Sequence, residues 1–323
     1  MRWLPAALLA LLTVMALLGG RVRAFDLYGQ LQAQMLLAAA IFALVLLLRR
    51  RWGMLLVGLA CVASLGLSLR PWLVMPARVT AVPEAPVLRI AWGNLRNWST
   101  GGEAVQRLME SETPDIAVLT ELSEHHRAAV MAAQGYVFRS RFPTGSAFDV
   151  MLMSRRRPTD LRFDYGQGAD LPVMIARFCP DVGGMACLAL IALHAPRPPL
   201  LAGALGAPAL RRDAMLELAT GIARRRLAAG DHVLLLGDLN AAPYTAAFRR
   251  VLAASGLADS ARLPSEQPAR PRPTWLSPWP GLGLPIDHAL VSPGIRIVER
   301  RLGPDIGSDH FPLILHVRLL AAP

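Results

Sequence analysis

The sequence predicts a mixed α/β domain preceded by three membrane helices, and three observations carry that expectation. Hydrophobic residues make up 54% of the 323, and the mean hydropathy is +0.38, too apolar for a wholly soluble chain. The N-terminal part holds three apolar runs separated by arginines. Beyond residue 86, short apolar runs alternate with helical stretches. A charged fraction of 18% excludes disorder as the main state, and three cysteines exclude a disulfide-stapled miniprotein.

Trp3 to Gly20 carries no charge, Leu27 to Leu48 is broken only by Gln30, Gln32 and Gln34, and Trp52 to Leu69 completes the set. At about 1.5 Å per residue, each is about long enough to cross a hydrocarbon core about 30 Å thick. Arg21 and Arg23 crowd the place where small residues precede a signal-peptide cut, so the first run is expected to remain as an anchor. The triplet Arg49 to Arg51 should stay cytoplasmic. The bulk of the chain then lies on the periplasmic or extracellular side of the cell (inner) membrane, although Arg21, Arg23, Arg70 and Arg78 nearly balance Arg2 and the triplet.

All 34 basic residues are arginine, and residues 1–82 hold eight of them against one acid, Asp26, which accounts for +7 of the net +11. The remainder sets 26 arginines against 22 acids. Most of the basicity therefore belongs to membrane topology and gives little support to a nucleic-acid partner.

Residues 76–86, with Pro76, Pro83 and Pro86, read as a linker between an anchor at 1–75 and a domain at 87–323. In that domain Leu88 to Trp92, Ile116 to Thr120, Val150 to Met153, Val173 to Phe178, Leu188 to Leu193, Val233 to Leu236, Ala289 to Val291 and Leu313 to Val317 read as strands. Gly102 to Glu112, Leu210 to Ala229 and Thr245 to Ala254 read as helices. Proline-rich Pro264 to Pro285 reads as a surface loop, and there is no internal repeat. Cys179 and Cys187 flank a turn between two strands; they either bridge, in an oxidising compartment, or remain as two buried thiols.

Polar residues collect at strand ends: Asn94 and Asn97, Glu121, His194, Asp238 and Asn240, Asp287 and His288, then Ser308, Asp309 and His310. Carboxylate and amide oxygens are the ligands a hard cation such as Mg²⁺ prefers, and strand ends on a rigid sheet can aim them at one point. Asp238 and Asn240, two apart in an extended stretch, share a face, though the same pair also suits a plain turn. An imidazole oriented by a carboxylate is a good base near neutral pH, which singles out His310 with Asp287 and leaves Asp309 free to face a metal.

Trp92-Gly93-Asn94, Pro114-Asp115-Ile116 through Thr120-Glu121, Gly237-Asp238-Leu239-Asn240, Ile286-Asp287-His288 and Gly307-Ser308-Asp309-His310 occur in the order found in the endonuclease/exonuclease/phosphatase family. The stretch from Leu88 to Val317 resembles that family, in its membrane-anchored bacterial branch. The resemblance implies a four-layer α-β-β-α sandwich (DNase I-like), with two mixed sheets inside and helices on both outer faces. It further implies Glu121 as principal Mg²⁺ ligand, with Mn²⁺ as a substitute, assisted by Asn94 and Asp309. Asp238 would polarise the attacking water and Asn240 would hold it. His310 with Asp287 would act as base or phosphoryl stabiliser, and His194 would donate to the same oxygens.

The chain also departs from the family's pattern. Ser154-Arg155-Arg156 is similar to its serine-arginine pair, but Tyr136 and Tyr165 are the only nearby tyrosines for a nuclease-type phosphate contact. The histidine of His194-Ala195-Pro196-Arg197 lacks the usual small polar follower, and Arg197, like Asn97, is a candidate for substrate binding. His125 and His126 read as a solvated helix start, His288 and His316 as structural, and Trp275 and Trp279 as loop anchors. The leading expectation is a membrane-tethered, Mg²⁺-dependent phosphoester hydrolase, with a lipid-linked phosphoester as the substrate class the tether suggests. A nuclease and a non-catalytic membrane binding protein are the alternatives, and oligomeric state is not legible.

Overall fold

The computed structural model describes the chain apart from residues 1–2, 20, 23–24, 81–85, 97–99, 143–145, 147, 166–170, 181–185, 199–206, 271, 277–282 and 321–323. The N-terminal region holds α1 (Leu4–Leu18), α2 (Asp26–Gln30), α3 (Gln32–Leu48) and α4 (Trp52–Leu73). The elements that follow are β1 (Leu88–Asn94), α5 (Gly102–Glu112), β2 (Ile116–Thr120), α6 (Glu124–Ala132), β3 (Phe138–Arg139), β4 (Val150–Ser154), β5 (Asp160–Asp164) and β6 (Val173–Phe178). Then come β7 (Leu188–His194), α7 (Ala207–Ala228), β8 (His232–Asp238), α8 (Ala246–Ser255), β9 (Ala258–Asp259), β10 (Ser265–Gln267), β11 (Asp287–Val291), β12 (Ile295–Leu302) and β13 (Leu313–Leu319).

The expectation of three full membrane spans narrows to one. Among the described residues only α4, at 22 residues, is long and apolar enough to cross a bilayer, whereas α1 has 15 and α3 has 17. The second apolar run is not one helix, because its polar residues dock. Gln30 is buried against the α/β domain, while Gln32 donates to the Ala16 carbonyl and accepts from Ser68. α3 and α4 pack closely through Gly58 against Ala43 and through Ala39, Cys61 and Leu65. Leu4, Leu8, Leu37, Leu44, Leu56 and Leu67 stay exposed around the bundle.

The linker is also partly structured. Arg78 bridges Ser265, Val79 N–H donates to the Ser265 carbonyl, and Ser265 N–H donates to Ala77. This extends the edge beyond β10; residues 81–85 lie outside the described residues.

One sheet runs in the order β10-β12-β13-β1-β2-β4-β3 and the other β5-β6-β7-β8-β11-β9, and each mixes parallel and antiparallel pairs. Ile90, Trp92, Val118 and Leu315 of the first meet Leu190, Ala192, Leu234 and Leu236 of the second in the central core. The intervening residues face outward: Ala91, Ala117 and Leu119 against α5 and α6, and Ile191, Val233 and Leu235 against α7 and α8. Four layers result, α-β-β-α, because alternation sends every second residue to the opposite face. Cys179, just after β6, and Cys187, just before β7, are joined as a disulfide, so the bridged alternative holds.

Candidate active site

The inward phase of five strands predicts where their terminal polar residues meet. Residues 90 and 92 of β1, 116 and 118 of β2, 190 and 192 of β7, 234 and 236 of β8, and 289 and 291 of β11 line the central core. Continuing each strand by two brings Asn94, Thr120, His194, Asp238 and Asp287 to the same interior. Register places them at one end: Asn94 opposite Thr120, His194 opposite Asp238, and Asp287 opposite Asp238.

Contacts knit this end together. Asn94 Nδ2 donates to Glu121 Oε1 at 2.9 Å and lies 3.5 Å from Asp238 Oδ2. His194 Nε2 sits 3.8 Å from Glu121 and 3.5 Å from Asp238. His310 Nδ1 meets Asp287 Oδ2 at 2.8 Å, with its Nε2 3.8 Å from Asp238. Asn240 N–H donates to Asp238 Oδ1, and its side chain donates to the Ala195 carbonyl. Two of these positions require unusual backbone: Glu121 (φ 54°) and Asn240 (φ 45°) are left-handed without being glycine. Such conformations are costly for L-residues and persist where the surroundings over-determine them.

Burial and charge set the protonation. Burial, with the Asp287 charge adding to it, pushes Asp238 up to about 8, against the opposing effect of His310. Burial also pushes Asp287 up, but His310 and the hydrogen bonds from His310, Thr274 and Trp92 outweigh it and leave the carboxyl below its ordinary range. Burial pushes His310 down, yet Asp287 prevails and raises it to about 9. At neutral pH the Asp287–His310 pair is therefore ionic, with His310 a proton donor.

The match to the model of the Endonuclease/Exonuclease/phosphatase family covers residues 91–310, from β1 to this histidine. The chain belongs to that family. No curated protein sequence matches it. Among solved structures, the 3′ phosphatase NExo from Neisseria bound to product DNA hairpin is similar at 22% identity, covering 71% of this chain and 98% of that one, with a TM-score of 0.56. The human Nocturnin catalytic domain with bound sulfate anion is similar at 15% identity, with coverages of 74% and 96% and a TM-score of 0.53. Sphingomyelinase C from Streptomyces griseocarneus is similar at 15% identity, with coverages of 72% and 99% and a TM-score of 0.51. These likenesses establish the shared fold, and endonuclease/exonuclease/phosphatase enzymes are metal-dependent phosphoester hydrolases.

In this family member the residues fit a hard cation. Glu121, Asp238 and Asp287 are buried carboxylates facing two imidazoles, and Asn94 turns its Nδ2 to Glu121 and its Oδ1 to the Arg96 N–H, so a flip of its amide would present the oxygen to a cation. Asp238, Asp287 and His310 lie closest together, but Asp287 spends one oxygen on the Trp92 indole N–H at 2.7 Å and the other on His310. That triple is better read as a proton-holding group, with Glu121 and Asn94 on the oxygen-rich side. The expected third ligand, Asp309, departs from the set. Its carboxylate accepts from the Trp275 indole N–H at 3.1 Å and lies 3.6 Å from Arg96. An indole donor and a guanidinium compete for its oxygens, so it is held at the rim.

Other family-motif residues are distributed as follows. Arg197 is exposed just past His194, and Asn97 and Trp279 lie outside the described residues. Tyr136 is in the core, donating to the Pro114 carbonyl, and Tyr165 is exposed, so neither is among the site's contacts described above. His125 is exposed as a solvated helix start should be, but His126 is buried and corrects that reading. It completes a capping box with Ser123 and meets Thr100 at 2.8 Å, satisfying polar groups that the helix start would otherwise leave unpaired. His288 is buried on Phe248 and contacts the Ala241 carbonyl, and His316 pairs with Glu299, both structural. Trp92, Phe148 (4.9 Å from the His194 ring) and Trp275 are site residues that sequence reasoning missed or treated as packing; only Trp92 carried a signal, its inward phase.

Proposed function

We propose that this chain is a membrane-tethered, divalent-cation-dependent phosphoester hydrolase using Mg²⁺ or Mn²⁺. The convergence of Asn94, Glu121, His194, Asp238 and the Asp287–His310 pair at one end of the sandwich carries the reading. Glu121 and Asn94 would hold the cation, with Asp309 joining them by exchanging its Trp275 partner. When bound, such an ion neutralises charge on a phosphoryl oxygen. In its deprotonated form, which a bound cation would favour, Asp238 orients the attacking water and takes its proton, and Asn240 keeps Asp238 aimed through its backbone N–H. His310, cationic through Asp287, and His194 donate to the non-bridging oxygens, where negative charge grows. Arg197 and Asn97 are assigned to the substrate's phosphate.

The exposed leucines around α1, α3 and α4 support a membrane location, because so much contiguous apolar surface is costly in water. α4 serves as the spanning helix, with α1 and α3 packed on it. The disulfide supports a periplasmic or extracellular domain. A periplasm-active reporter after residue 323 that stays silent, while a cytoplasm-active one reports, would reverse the orientation. The domain meets the anchor through the start of α3 and the end of α4, as in Gln34 to Gly283 and Trp72 on Phe248. With α4 in the bilayer, the catalytic end would lie close to its surface, which favours a phosphoester carried on a lipid.

The test is a Mg²⁺ and Mn²⁺ activity screen of the full chain in lipid nanodiscs against phospholipids, lipid diphosphates, nucleic acids and aryl phosphates. Glu121→Gln and His310→Ala should each abolish cation-dependent turnover while the domain stays folded. Retained turnover in either variant overturns the site. Hydrolysis of nucleic acid alone would replace the lipid substrate with the nuclease alternative.

A further inference from the structure

The catalytic loop after β8 is not held by the α/β domain alone. Gln30, at the end of α2, lies 210 residues away in sequence and is only 2% exposed. Its Nε2 donates to the Asn240 carbonyl at 3.0 Å, and its Oε1 accepts from Ala242 N–H at 2.6 Å. One side-chain amide thus pairs with donor and acceptor two residues apart, as a neighbouring strand would. Tyr244 Oη closes the same segment by donating to the Gln30 carbonyl at 2.9 Å.

The loop needs such support. Asn240 is left-handed at φ 45°, and from that backbone its N–H reaches Asp238 while its side chain reaches the Ala195 carbonyl beside His194. Ala242 and Tyr244 are buried under Leu69 of α4, and Asp26 of α2 is ion-paired to buried Arg212 of α7 at 2.5 Å. α2 is thereby fixed to the domain at both ends.

We propose that Gln30 is a positioning residue for Asn240 and Asp238, so that the membrane anchor completes the active site instead of only tethering it. The inference rests on the hydrolase reading above, and it assigns to α2 a role in turnover that no residue of the family match, which begins at residue 91, supplies.

The test uses the full chain in nanodiscs with Mg²⁺ and bis(4-nitrophenyl) phosphate as probe, together with amide hydrogen exchange over residues 239–244. Gln30→Met keeps the volume and loses both hydrogen bonds. It should lower kcat by about 10- to 100-fold, leave KM within about twofold, and accelerate exchange in the loop. Gln30→Glu keeps the acceptor for Ala242 but sets a second acceptor against the Asn240 carbonyl, so it too should lower kcat and accelerate exchange, which covers the case in which Gln30→Met fails to fold. Ser68→Ala, whose hydroxyl donates to Gln32 within the anchor, should match the unaltered chain in every readout. Unchanged kcat or unchanged exchange in the Gln30 variants overturns the proposal, as does an equal loss in Ser68→Ala. If the unaltered chain hydrolyses no phosphoester, the hydrolase reading fails by itself, and loop exchange alone then decides whether Gln30 is the clamp.

Discussion

Asp287 faces Asp238 directly across the antiparallel ladder of β8 and β11, both carboxylates fully enclosed. Two like charges so placed cannot both ionise freely. Asp287 stays charged because Trp92 and His310 bind its oxygens, and Asp238 is left to carry the proton, raised to about 8.

Cation binding should therefore displace that proton. Below pH 8 the apparent Mg²⁺ affinity is expected to rise by up to about tenfold per pH unit, then to level off. Calorimetric titration in two buffers of different ionisation enthalpy would reveal the released proton. A pH-independent affinity would place the cation away from Asp238.

Stability of the cation-free chain should fall in alkali. His310 is raised from 6.5 to about 9, so its contribution is fully present below pH 6.5 and is lost as pH rises through 9. Asp238, raised from 3.8 to about 8, has the same sign and loses its part between pH 4 and 8. Thermal unfolding followed from pH 6 to pH 10 should show a falling Tm in the presence of chelator, and His310→Asn should flatten the upper part of that slope.

Trp92→Phe removes the indole donor from Asp287 and keeps most of the packing. Leaving a buried carboxylate oxygen without its partner should cost about 1–3 kcal/mol. Denaturant unfolding measures that cost. A drop in kcat is expected alongside it, because His310 depends on Asp287 for its charge and orientation.

The Cys179–Cys187 disulfide should matter for stability and not for turnover. A closed loop with a separation of 8 residues stabilises by about 2–3 kcal/mol on chain-entropy grounds. Cys187 precedes the start of β7, whereas His194 ends it, so bridge and site lie at opposite ends of the sandwich. The double serine variant should unfold earlier and retain its kcat; lost activity would mean that the two ends are coupled.

The strands that were legible are those buried on both faces, where an unbroken apolar run such as Val233 to Leu236 leaves little alternative. β12 was missed because a bulge between Ile297 and Glu299 breaks its period and its second half is charged. β5 was missed because it carries only Leu161 and Phe163 as apolar positions in an otherwise polar stretch. The indole contact of Asp309 and the burial of His126 were not legible for a shared reason. Each side chain's partner, Trp275 in one case and Thr100 in the other, comes from a different segment.

By itself the sequence determined which residues could do chemistry: strand-end Asn94, Glu121, His194, Asp238, Asp287 and His310, whose identity and phase along each strand are local properties. Only the tertiary structure decided which of their atoms meet, that Asp238 and not Asp287 holds the proton, and that Gln30 grips the loop of Asn240. Those outcomes depend on distance and burial between segments up to 210 residues apart, and chain order does not encode them one residue at a time.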